Sequence, residues 1–172
     1  MEPTEAGDDA LAVLPAGCGP DPIEVRRARR SDVPAIVALI ADDPLGRTRD
    51  GADGPGGLGP YLAGFERVAA DPNQLLVVAV AAGEVVGTLQ LSLLPGVARR
   101  GAVRAQIEAV RIGAGHRSHG LGGALVRWAV EEARRRGCAL VQLTSDKRRP
   151  DAHRFYERLG FVATHEGFKL DL

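Results

Sequence analysis

The order of elements legible in this chain of 172 residues predicts an α/β fold built around a mixed sheet. Two observations carry that prediction. Three strand patterns follow one another at 74–81, 84–94 and 104–112, the first two joined by a turn at Gly83 that makes them a hairpin. Strand and helix patterns then alternate, starting from a glycine-rich turn at 117–123.

Taken in order, residues 23–28 alternate apolar and basic side chains and read as the first strand. Ser31 and Asp32 are residue types that cap helices, and Val33, Ile36, Val37 and Ile40 then recur at helical spacing up to Pro44. Residues 44–60 read as a long glycine-rich loop, of the kind that is either mobile or functional, and 61–70 as a short helix. The near-continuous apolar run at 74–81 predicts a buried strand. Residues 95–101 form a loop before the strand at 104–112.

Gly120 opens the strongest helix, with Leu121, Ala124, Leu125, Trp128, Ala129 and Ala133 on one stripe, Arg134 to Arg136 in the last turn and Gly137 as its cap. A strand at 139–144 follows. A helix capped by Asp151 carries Ala152, Phe155, Tyr156 and Leu159 and stops at Gly160. Residues 161–172 read as two short strands. The first 22 residues mix Ala, Gly, Pro and Asp without periodicity and predict a disordered tail, leaving 23–172 as a single domain.

Composition narrows the function. Lys plus Arg and Asp plus Glu balance at 22 each, so net charge argues for neither nucleic acid nor an anionic membrane as partner. Aromatic residues are 4% of the chain, too few for a base-stacking platform. No apolar stretch approaches the roughly 20 residues that span a bilayer, and the acidic first residues do not form a signal peptide. Cys18 reads as a thiol in the tail and Cys138 as a small core residue. A reducing, cytoplasmic setting fits both.

The segment Arg117, Ser118, His119, Gly120, Leu121, Gly122, Gly123 lies between a strand and a helix. Glycines let backbone N–H groups approach an anion, and the helix start adds unpaired N–H groups and the positive end of its dipole. Arg117 adds a cation, so the segment suits a phosphate or pyrophosphate. A tight turn without a ligand has the same composition. A dinucleotide site is disfavoured, because Leu125 stands at the third glycine position and 140–144 ends without the acidic residue that would hold a ribose.

Arg117, Gly120 and Gly122 match the cofactor motif of the GCN5-related N-acetyltransferase superfamily, Arg or Gln, two residues, Gly, one residue, Gly or Ala. The run Phe155-Tyr156-Glu157-Arg158-Leu159-Gly160-Phe161 resembles the end of that family's late helix. The resemblance covers roughly residues 23–172. It implies a central sheet splayed between its fourth and fifth strands, 104–112 and 139–144, with helices on both faces. It further implies that acetyl-CoA enters between these parallel strands, with the backbone of Val110, Arg111 and Ile112 along its pantetheine arm and 117–123 on its pyrophosphate. One departure is Arg149, where many members carry an Asn. The cluster Lys147, Arg148, Arg149 could meet the 3′-phosphate or be a solvated loop.

Acyl transfer to an amine needs a base, because a Lys-like amine with pKa about 10.4 is free base in only about one molecule in a thousand at neutral pH. It also needs a donor for the developing oxyanion and a proton for the leaving thiolate. Glu108 is the candidate base, on a strand where Gln106, Glu108 and Val110 would share a face and an apolar setting would desolvate the carboxylate. The Val110 N–H is the candidate oxyanion donor and Tyr156 the candidate acid. Solvent-facing Glu108 and core Tyr156 are the corresponding structural readings. His116, His119, His153 and His165 have no metal-ligand spacing, so no metal is expected.

These readings predict an N-acetyltransferase that moves an acetyl group from acetyl-CoA to a small-molecule or peptide amine. A non-catalytic acyl-CoA sensor is the alternative. The pattern permits a homodimer through the terminal strands.

Overall fold

In the computed structural model, which describes residues 10–43, 50–51 and 53–172, one six-stranded sheet runs in chain order. Its strands are β1 (Ala10–Val13), β2 (Ile23–Arg27), β3 (Gln74–Ala81), β4 (Glu84–Leu94), β5 (Arg104–Ile112) and β6 (Leu140–Leu143). Neighbours from β1 to β5 are antiparallel, and β5 and β6 are parallel. The sheet is therefore mixed, as the element order predicts. The hairpin between β3 and β4 turns through Ala82 (φ 47°) and Gly83 (φ 84°), a left-handed pair that suits the twist of the strands.

Helices cover both faces. On one face α3 (Leu121–Arg135) buries its whole predicted stripe, Leu121, Ala124, Leu125, Trp128, Ala129 and Ala133, against Val25, Val77, Ala79, Leu89, Leu91, Ala105 and Ile107. Phe155 and Tyr156 of α4 (Pro150–Arg158), and Leu159 that caps it, pack on the edge of the same cluster. The opposite face receives α1 (Val33–Ala41), which contacts β4 and β5 and buries Val33, Ile36 and Val37, and α2 (Gly59–Ala70), which contacts β3. The start of α1 is pinned by Asp32, whose carboxylate accepts from Arg26 Nη1 (2.7 Å), Arg26 Nη2 (2.9 Å) and the Arg29 N–H (2.7 Å).

Three sequence expectations change. The tail is ordered from Ala10 onward: β1 pairs with β2 from Ala10↔Arg26 to Val13↔Glu24, the Leu14 N–H donates to the Ile23 carbonyl at 2.8 Å, and Leu14 and Cys18 enter the core at 6% and 8% exposure. The free edge of β2 has backbone groups to satisfy, and Ala-Leu-Ala-Val supplies a short partner for them. Residues 1–9, and residues 44–49 and 52 of the predicted 44–60 loop, lie outside the described residues. The two strands expected in 161–172 are absent: Phe161 packs on the core, and the chain continues with Val162, Phe168, Leu170 and Leu172 exposed. Last, α4 begins at Pro150, with Arg149 rather than Asp151 at its cap position.

Candidate active site

The strands that the site needs to separate do separate. β5 and β6 are in register only from Arg104↔Leu140 to Ile107↔Leu143, whereas β5 continues to Ile112. Residues 108–112 therefore present one backbone edge with no β6 partner. Within this segment Ala109 is left-handed (φ 51°), and pairing with β4 jumps from Glu108↔Gln90 to Arg111↔Thr88. This is a β-bulge, a device that re-aims side chains.

The bulge corrects the expected alternation. Glu108 shares a face with Gln106, but Val110 does not: Val110 and Ile112 return to the core face with Ala105 and Ile107, and Arg111 takes the face of Glu108. Glu108 is exposed on that face, so the desolvated setting expected from the strand's composition is not there. Gly87 lies opposite Ile112, in a contact that sequence reading missed.

The glycine-rich segment lies directly beyond the open edge of β5. Ser118 (φ 66°) and Gly120 (φ 79°) are both left-handed and turn the chain into α3. No side chain caps the first turn of α3. Its N–H groups at Leu121, Gly122 and Gly123 have no acceptor within this 15-residue helix, the local geometry of an anion cradle. Leu121 is fully buried, so it can offer only its backbone there. Gly122 faces Ile112 and Phe155, and Ser118 and His119 are exposed. Arg117 spans loop and strand, donating from Nε to the Ile112 carbonyl (2.9 Å) and from Nη2 to Asp42 (2.6 Å).

The end of α1 gathers further arginines. Asp43, 6% exposed, pairs with Arg111 Nη2 at 3.1 Å and with Arg149, and Arg111 Nη1 also donates to the Val110 carbonyl at 2.8 Å. One buried carboxylate thereby ties α1 to β5 and to the start of α4. Neither Asp42 nor Asp43 stood out in the sequence, because their partners lie far along the chain. Tyr156 sits between Phe155 (ring centroids 5.0 Å) and Phe161 (5.9 Å). Burial pushes its phenol above its ordinary pKa, against the opposing pull of Arg111 and Arg149. A phenol so placed holds its proton at neutral pH and can donate it.

The remaining basic cluster is engaged at the surface, Lys147 with Glu166 and Arg148 with Asp146 (2.8 Å). His153 contacts the Asp146 carbonyl at 2.9 Å, and His165 contacts Thr164 at 2.7 Å. Among the described residues no three His, Cys, Asp or Glu side chains gather as a metal site, and no helix is long and apolar enough to cross a membrane.

Residues 48–161 match the acetyltransferase (GNAT) family. The chain is similar to the aminoalkylphosphonate N-acetyltransferase of Salmonella typhimurium, with 30% identity over 84% of this chain and 88% of that protein. It is also similar to the glucosamine 6-phosphate N-acetyltransferase of Trypanosoma brucei brucei, with 38% identity over 52% of this chain and 59% of that protein. Among solved structures, a transcriptional regulator from Bacillus halodurans C-125 superimposes with a TM-score of 0.82 at 44% identity, covering 87% of this chain and 99% of that one.

Proposed function

This chain belongs to the acetyltransferase (GNAT) family and is an acyl-CoA-dependent N-acetyltransferase, and from that premise we propose that it moves an acetyl group from acetyl-CoA to the primary amine of a small molecule by direct attack of the nitrogen on the thioester carbonyl. The observation that carries this reading is the unpartnered edge of β5 at 108–112 leading straight into the uncapped, glycine-lined start of α3. Acetyl-CoA fits that arrangement, because an extended amide-bearing arm suits an open strand edge and a pyrophosphate suits a helix start.

Val110, Arg111 and Ile112 would lie along the arm, and Arg117, Ser118, His119, Gly120, Leu121, Gly122 and Gly123 would hold the pyrophosphate, mostly through backbone N–H groups. For the latter, Arg117 must exchange its contact with exposed Asp42 for phosphate. Bound acetyl-CoA supplies an activated acyl group. Glu108, exposed on the face opposite the core, takes a proton from the incoming ammonium, directly or through a water. The Val110 N–H donates to the carbonyl oxygen as charge develops there. As the new N–C bond forms and the C–S bond breaks, Tyr156 gives its proton to the departing sulfur, and the extra proton shed by the acylated nitrogen returns the phenol to its neutral form.

The acceptors named for the two relatives are both amines bearing a phosphorus oxyanion. Arg111 and Arg149, converging on Asp43 beside Tyr156, supply two guanidinium groups suited to such an oxyanion. Calorimetry with acetyl-CoA, followed by thiol release with an aminoalkylphosphonate and with glucosamine 6-phosphate, tests the reading. Failure to bind acetyl-CoA would refute it.

A further inference from the structure

Resting on the reading of Glu108 as the base, we infer that the row of side chains Gln74, Ser92, Gln106 and Gln142 is the floor of the acceptor site and selects an amine whose body carries several hydroxyl groups.

These four residues are successive cross-strand partners on β3, β4, β5 and β6, through Gln74↔Ser92, Ser92↔Gln106 and Gln106↔Gln142. Four strands at about 4.8 Å spacing make a row about 14 Å long. The adjacent row on the same face contains Gln90 paired with Glu108. Where α1 covers this face, its apolar Val33, Ile36 and Val37 are buried. The polar row is different: its three glutamines are partly exposed around a buried Ser92, and a groove lined by Phe65, Val68 and Ala69 of α2 reaches it at Gln74. A sheet face meant only for burial would carry apolar residues at these positions.

The row is held ready by its own hydrogen bonds. Gln90 Nε2 and Ser92 Oγ donate to Gln74 Oε1 at 2.9 and 2.6 Å, and Gln142 Nε2 donates to Gln106 Oε1 at 2.7 Å. These bonds fix the amide planes yet leave the amino groups of Gln74 and Gln106 and the carbonyl oxygens of Gln90 and Gln142 with no bond among the described residues. The donors of Gln74 and Gln106 and the acceptors of Gln90 and Gln142 thus alternate across this face of the sheet without charge. A hydroxyl group both donates and accepts, so a polyhydroxylated body matches this alternation, whereas a bare alkyl chain leaves it unmet. With the hydroxyls along the row, the amine nitrogen lies toward Glu108.

The test uses the full chain, glucosamine as the hydroxylated probe and cyclohexylamine as the bare ring. Gln106→Met and Gln142→Met keep side-chain length and remove the amide. Calorimetry in the presence of CoA should show glucosamine binding to the wild type, weakened at least fivefold in each variant, the effect of one lost hydrogen bond. Cyclohexylamine and acetyl-CoA affinities should not change, and circular dichroism should show both variants folded. Equal weakening for both amines, no weakening for either, or no binding of glucosamine by the wild type overturns the inference. Because the readout is binding, failure of Glu108 as base would appear separately, as glucosamine bound through the row and never acetylated.

Discussion

Gly87 and Ile112 meet where β5 ends: a methyl group on Gly87 would lie 2.9 Å from Ile112 Cδ1 and 3.1 Å from the Arg111 carbonyl oxygen. The side chain of Ile112 can move aside, but the Arg111 backbone can yield only by shifting the strand that the pantetheine arm would follow. Gly87→Ala should destabilise the fold by about 1–3 kcal/mol, as overpacking does. It should also weaken acetyl-CoA binding at least fivefold. Thermal melting and calorimetry check the two effects, and wild-type values in both would show that the end of β5 is pliable.

Deleting residues 1–22 should destabilise the protein. It removes β1 from the edge of β2 and takes Leu14 and Cys18 out of the core. The loss of two buried apolar side chains alone sets a scale of about 2–4 kcal/mol. Chemical denaturation of full-length and truncated chains measures it, and an unchanged midpoint would show that the segment adds nothing to the core.

The contrast between the two ends of the chain shows what the sequence makes legible. Strands β3, β4 and β5 were marked by long apolar runs and a two-residue turn, and their predicted bounds match the observed ones. The stripe of α3 was equally plain, because helical periodicity over four turns leaves little alternative. β1 was missed because four small or aliphatic residues followed by Gly and Pro carry no period, and only the waiting edge of β2 makes them a strand. At the other end, Phe168, Leu170 and Leu172 alternate as a strand would, yet they lie exposed. Within the site, the glycine-rich turn was readable as local chemistry. The bulge at Ala109 was not, because an Ala at positive φ leaves no signature in composition, and so the face of Val110 was misassigned. The pairing of Asp43 with Arg111 and Arg149 depends on residues far apart in sequence and could not be read from either.

Asp32→Ala should cost about 1.5–3 kcal/mol, since it removes the carboxylate that accepts from the largely buried Arg26 guanidinium and from the Arg29 N–H. Burial raises the pKa of Asp32, but the Arg26 hydrogen bonds and the Arg29 N–H outweigh it and bring the carboxyl below its ordinary value of 3.8. A depressed carboxyl stabilises the fold above pH 3.8 and loses that contribution as pH falls below it. The stability gap between wild type and Asp32→Ala should therefore be constant near neutral pH and narrow in acid, as urea titrations across that range would reveal. A gap that widens in acid would reverse the assignment.

Tyr156→Phe should lower turnover by about 10² to 10⁴, the range for a positioned acid, with acetyl-CoA affinity nearly unchanged, because the hydroxyl acts on the departing sulfur and not on the bound ground state. Since burial holds the phenol above its ordinary value of 10.0, the wild type should keep its donor protonated through pH 10 and lose turnover only beyond it. That alkaline limb should vanish in the variant. A folded Tyr156→Phe protein with wild-type turnover would remove Tyr156 from the mechanism and leave its role to packing between Phe155 and Phe161.

The most direct measurement of the central claim is the rate of CoA thiol release from acetyl-CoA with an aminoalkylphosphonate or glucosamine 6-phosphate, followed against pH for the wild type and Glu108→Gln, with the acetylated amine identified by mass. The wild type should transfer the acetyl group to at least one of these amines. Glu108→Gln should lose a factor of about 10² or more near neutral pH, and the loss should shrink as pH rises, because the amine then sheds its proton to solvent without help. Wild type that binds acetyl-CoA yet acetylates neither amine, or a folded Glu108→Gln protein that matches wild type at every pH, would contradict that claim.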